Sequence, residues 1–128
     1  MSGELGLFIN KKRRRRLPNN EDVLLKDIAK ELGISASYLS DILKGRRRLP
    51  NKEGLERIAA LLNLTPDETN ELMDIAGREQ GQVSYDLVEY LMSEQLPALR
   101  AVIRKAIANN AGDDYWQQIV KAIDAVGE

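Results

Sequence analysis

Two residue types are missing from this 128-residue chain altogether: it has no cysteine and no histidine. Without cysteine there are no disulfides and no thiolate ligands, and without histidine the commonest metal ligand and general base is gone as well. Any catalysis would have to rest on carboxylates, lysines and hydroxyls, so the sequence points away from an enzyme and away from a bound metal or cofactor. Aromatic residues are scarce, at 5%. No apolar run approaches the roughly 20 residues needed to cross a bilayer, and the N-terminus lacks the apolar core of a signal peptide, so a cytoplasmic protein without membrane contact is expected. With 43% hydrophobic and 30% charged residues the chain has the composition of a soluble globular protein. Its length suits one domain, or a small domain with an appendage.

The informative residues concentrate in KDIAKELGISASYLSDILKG, which begins at Lys26. Ile28, Ala29 and Leu32, read from Leu25, fall at spacings of three and four and mark one face of a short helix. Gly33 ends it, because glycine enters the left-handed conformation without steric cost and so can reverse the chain. Ile34 plugs the angle, Ser35 is a good N-cap, and a second helix carries Leu39, Ile42 and Leu43 inward. Ala29 is small where two steeply crossing helices would come closest. The pattern reads as a helix-turn-helix, against the alternative of an ordinary helical hairpin.

From Gly3 to about Ala76 the chain resembles the DNA-binding domain of the phage repressor (Cro/C1, or XRE) family of transcriptional regulators, in which five short helices enclose the motif. The run SYLSDILKG and the basic segment after it carry most of that likeness. Charge supports it independently. Residues 1–50 contain 12 Lys/Arg and 6 Asp/Glu, net +6, whereas residues 51–128 contain 7 and 14, net −7, so an overall charge of −1 hides a strongly basic end. Two clusters hold the excess, residues 11–16 and residues 44–48, and both flank the motif.

The remaining turn signals mark off helices and almost no strands, so the fold class is all-α. Leu5, Phe8 and Ile9 form the buried stripe of a first helix, and Leu17-Pro18-Asn19-Asn20 breaks the regular structure after it. The connection from Arg14 to Leu25 is longer than the family's usual one, and the arginine run either extends the first helix or forms a basic loop. Asn51 caps a helix with Leu55, Ile58, Ala59 and Leu62 inward. Thr65-Pro66-Asp67-Glu68 then combines a capping threonine, a proline at the first helical position and a glutamate three residues after the cap. Leu72, Ile75 and Ala76 line that helix.

The expected division is a DNA-binding domain over 1–76, a linker over 77–82 and a C-terminal helical unit over 83–128. Leu87, Val88 and Leu91 form one stripe in that unit, Leu99, Val102, Ile103 and Ile107 a second, and Trp116, Ile119, Val120 and Ile123 a third. Pro97 starts the middle helix, and Asp113 is expected to cap the last. So small a unit cannot bury all this surface alone, which leaves buttressing of the first domain or dimerisation.

The family resemblance, carried over position by position, puts Ala36, Ser37, Ser40 and Asp41 at base edges, with Lys44 at the rim of the major groove. It puts Lys26, Arg46, Arg47 and Arg48 against phosphates, with Arg14 and Arg15 from the first cluster beside them. Tyr38 either hydrogen-bonds a phosphate or packs. Asp41 either accepts from cytosine N4 or orients Lys44 or Arg48. The function implied is that of a sequence-specific double-stranded-DNA-binding regulator, a dimeric repressor on a palindromic operator. The alternative is a protein-interaction module, such as the antitoxin of a toxin pair, whose partner is another protein and whose DNA binding is autoregulation.

Overall fold

The computed structural model describes residues 3–127 and divides the chain into two units, Met1–Val88 and Glu89–Glu128. The described residues form eight helices and no strand. Five belong to the first unit: α1 (Glu4–Lys12), α2 (Leu25–Leu32), α3 (Ala36–Leu43), α4 (Lys52–Leu61) and α5 (Pro66–Gln80). α1 lies against α3 and α5, α2 against α3 and α4, and α4 against α5. Leu5, Ile9, Ile28, Leu39, Leu55 and Leu72 are among the fully buried side chains where these helices meet.

Each helix end has a local cause. α2 stops at Gly33, whose φ of 71° places it in the left-handed region, and the Ile34 N–H returns to the Ala29 carbonyl at 3.0 Å. α3 starts because the Ser35 hydroxyl accepts from the Tyr38 N–H at 3.0 Å. The Asn51 side chain does the same for Gly54 at 2.9 Å. At α5 both halves of the capping box form, with Thr65 Oγ1 accepting from Glu68 N–H at 3.1 Å and Glu68 Oε1 from Thr65 N–H at 3.0 Å.

The long connection after α1 is an ordered loop. Arg13 caps α1, and the chain returns so that the Val23 N–H donates to the Arg13 carbonyl at 2.7 Å while the Arg13 guanidinium reaches the Val23 carbonyl at 3.3 Å. Residues 17–20 make the turn inside it, with Asn20 N–H on the Leu17 carbonyl at 2.8 Å. Val23 thereby enters the core at 1% exposure, a burial worth about 1.5–2 kcal/mol.

The segment expected as a linker is largely structured. Residues 77–80 complete α5, whose C-cap is Gly81. The chain then folds back: Gln82 N–H donates to the Gly77 carbonyl at 2.9 Å, and the buried Ser84 hydroxyl donates to Asp74 Oδ1 at 3.0 Å. Tyr85 packs against the core and its hydroxyl donates to Gln80 Oε1 at 2.9 Å.

α6 (Tyr85–Leu91) passes from one unit into the other, and α7 (Pro97–Ala108) and α8 (Asp113–Gly127) complete the chain. Asp113 does not cap α8; it is the first residue inside the helix, with the Gly112 carbonyl accepting the opening bond from Tyr115 N–H at 3.1 Å. Arg100 closes the turn before α7 by donating to the Leu91 and Ser93 carbonyls at 3.0 and 2.6 Å. No described residue of these three helices is fully buried.

Candidate nucleic-acid interface

The second helix of the motif is held from behind and bare in front. Leu39, Ile42 and Leu43 are 1–5% exposed, and Ala29, at 3%, sits where α2 meets α3. At its C-terminal end α3 is clamped by α1. Gly3 N–H donates to the Leu43 carbonyl at 3.2 Å, and a Cβ added at Gly6 would overlap that carbonyl oxygen. The approach of α1 to α3 therefore requires glycine there.

The opposite face of α3 carries Ser37, Ser40, Asp41 and Lys44 at helical spacings of three and four. Ser37 and Lys44 are exposed, Ser40 and Asp41 partly so, and Ala36 lies exposed in the first turn. The side chains at the front are short. Behind them the chain turns through Gly45, and the Arg46 N–H donates to the Asp41 carbonyl at 2.8 Å. That turn brings the Arg46 guanidinium to 3.9 Å from Asp41 Oδ1. Among the described residues the ion pair of Asp41 is with Arg46, and none is formed with Lys44 or Arg48, the two partners considered for its orienting role. At 3.9 Å, with Arg46 two-thirds exposed, the pair holds its charges loosely.

Tyr38 packs and is also accessible. The residue is 40% exposed, and the Arg47 guanidinium lies over its ring at 5.2 Å from the centroid. Tyr38, Ile42, Arg48, Leu49 and Arg57 border a cleft of about 510 Å³ between α3 and the start of α4. Arg46, Arg47 and Arg48 are all exposed, and among the described residues neither Lys44, Arg47 nor Arg48 is in an ion pair. Lys26 is exposed in the first turn of α2, where Asp27 accepts from Leu24 N–H at 3.4 Å.

The other basic cluster splits in two. Lys12 Nζ and Arg16 Nη2 both lie 2.8 Å from Glu68 Oε2, and Arg16 Nη1 reaches Glu68 Oε1 at 3.2 Å. These two cations bind the end of α1 to the start of α5. Arg16, Lys12 and the Thr65 amide together hold the Glu68 carboxyl at about 2, well below its ordinary 4.5. Arg14 and Arg15 point to solvent; Arg15 has a φ of 54° and its N–H donates to Asp22 Oδ1 at 3.0 Å. The 44–48 turn borders Gly3, ahead of α1, whereas Arg14 and Arg15 follow its far end, about 13 Å along the helix axis at 1.5 Å per residue. The two basic clusters thus lie towards opposite ends of α1.

Short side chains on a bare helix face, with unpaired arginines at its end, match polar base edges flanked by phosphates. The chain belongs to the helix-turn-helix domain family, whose model matches residues 4–72, just over half of the sequence. It is similar to the ImmF control region 10 kDa protein of Bacillus phage phi105, with 43% identity over 61 residues that cover 48% of this chain and 61% of that relative. No solved structure matches the chain significantly. Among the described residues no helix is long and apolar enough to cross a membrane, and no group of carboxylates is placed to hold a metal ion.

Proposed function

We propose that this protein is a DNA-binding transcriptional regulator, a dimeric repressor that reads the major groove of a palindromic operator through Ser37, Ser40 and Asp41. The observation that carries the reading is the pairing of a bare, polar face on α3 with exposed arginines immediately after it. Ala36 contacts a thymine methyl, the two serines donate or accept, Asp41 accepts from a cytosine amino group, and Lys44 reaches in from the rim. Arg46, Arg47 and Arg48 follow the groove edge, Lys26 and the Tyr38 hydroxyl meet the backbone, and Arg14 and Arg15 extend that contact beyond α1. Affinity is then dominated by phosphates and falls steeply with salt. A second copy supplies the second half-site, because one recognition helix spans only half of an operator. The relative named for a phage control region is consistent with repression.

Footprinting on genomic fragments would define the site, after which two classes of substitution separate the roles. Ser40→Ala or Asp41→Ala should lose about 1–3 kcal/mol on that site and leave the log–log salt slope unchanged. Arg48→Ala should weaken specific and non-specific DNA together and lower the slope by about one unit. Unchanged affinity and sequence preference in the Ser40 and Asp41 variants would remove α3 from the groove and overturn the reading.

A further inference from the structure

In the second unit the apolar surface lies outside. Among the described residues, eight large apolar side chains from Tyr90 onward are at least 45% exposed, against three in all of residues 3–83, although that stretch is about twice as long. Trp116 and Ile119 are themselves only half-buried. A helical unit of this size gains too little from its own interior to stay folded, so this surface needs a cover.

Charge identifies the cover. α7 carries Arg100, Arg104 and Lys105 and no acidic residue, whereas α8 opens on Asp113 and Asp114 and carries Asp124, with one lysine, Lys121. Arg100 is spent on the turn before α7, but among the described residues no ion pair joins α7 to α8 or either helix to anything else. One basic and one acidic helix, both with an apolar stripe, form a self-complementary surface. Under a two-fold axis whatever α7 offers, the partner's α8 accepts, and the exchange occurs twice.

We infer that this unit is the dimer interface, and that α7 of one copy packs antiparallel on α8 of the other, with Arg104 and Lys105 facing the partner's Asp113 and Asp114. This rests on the dimer reading above and adds its geometry. The antiparallel sense follows from the ends: it brings the cationic C-terminal half of α7 to the aspartates that open α8, and sets the negative end of the α7 dipole against the positive end of the α8 dipole. The apolar stripes supply the affinity, and the charges select the partner and its direction.

A charge exchange in the full chain tests it. Arg104→Glu with Lys105→Glu in one variant, and Asp113→Lys with Asp114→Lys in another, should each weaken self-association by about tenfold or more, since like charges then meet across the axis. An equimolar mixture should recover a heterodimer by sedimentation equilibrium. If wild type is monomeric, the dimer reading itself fails. If wild type and both variants dimerise equally, the dimer stands but this pairing is wrong. The pairing is equally overturned if both variants are monomeric and their mixture stays so. Circular dichroism establishes that each variant is helical. Should a variant not fold, wild type decides alone: its dimer should loosen between low and high salt, and a salt-independent dimer overturns the charge pairing.

Discussion

A glycine inside α1 sets the position of α3. Gly6 lies against the Leu43 carbonyl so closely that even a methyl group cannot fit without moving backbone. Gly6→Ala should therefore separate α1 from α3 and cost about 1–3 kcal/mol in denaturant unfolding, with operator affinity falling alongside. Ala29→Leu should cost a similar amount at the α2–α3 crossing, where Ala29 is 3% exposed. A Gly6 variant as stable as wild type would show that α1 yields at no cost. Ala29 was legible in the sequence because its partners are a few residues away within a spaced motif. Gly6 was not, because the constraint comes from a carbonyl distant in the chain and leaves no periodic trace. Asp41 was half legible: its exposure followed from helical spacing, but its pairing with Arg46 depends on the turn at Gly45.

Between elements, Glu68 joins three jobs that the sequence showed as one. The capping box at Thr65 was readable from local order, whereas the ion pairs to Lys12 and Arg16 depend on how α1 meets α5. That meeting also settles the open question of the arginine run: α1 ends at Lys12, and the run turns into a loop that sends Arg16 inward and Arg14 and Arg15 outward. The carboxyl titrates near 2 in the folded chain against 4.5 ordinarily, so its stabilisation is complete above pH 4.5 and disappears as the pH falls towards 2. With the three side chains 16–25% exposed, the network contributes about 1–2 kcal/mol after solvent screening. Glu68→Gln should lose that amount at pH 7 and become nearly equal to wild type at pH 2, as measured by urea midpoints. A difference that persists unchanged at pH 2 would locate the loss in packing and not in the charge.

At the scale of the whole molecule, the basic first half and acidic second half were visible in composition, and the all-α class in the spacing of apolar residues. The end of the first unit was less visible. Two glycines and a run of polar residues resembled a linker, but α5 continues through Gln80, and Ser84 and Tyr85 return to it. Those anchors are single hydrogen bonds and a contact, which produce no stripe. A truncation should therefore follow Val88 and retain them. The shortened protein should remain helical, sediment as a monomer and bind operator DNA more weakly with a simpler titration. A truncated protein that still sediments as a dimer would relocate the interface to the first unit.

The loose contact of Asp41 with Arg46 has a further consequence under the proposed reading, for the time spent on the wrong DNA. If α3 meets DNA as proposed, a carboxylate in the middle of that surface lowers attraction to every stretch of duplex lacking an amino group that can donate to it. Arginines at the edge still capture any backbone, so encounters remain frequent. Each wrong encounter, however, is short. On that reading, rejection built into α3 itself would shorten residence on the excess of irrelevant DNA, and a small protein with few strong base contacts would sample many sites before it settled on its own.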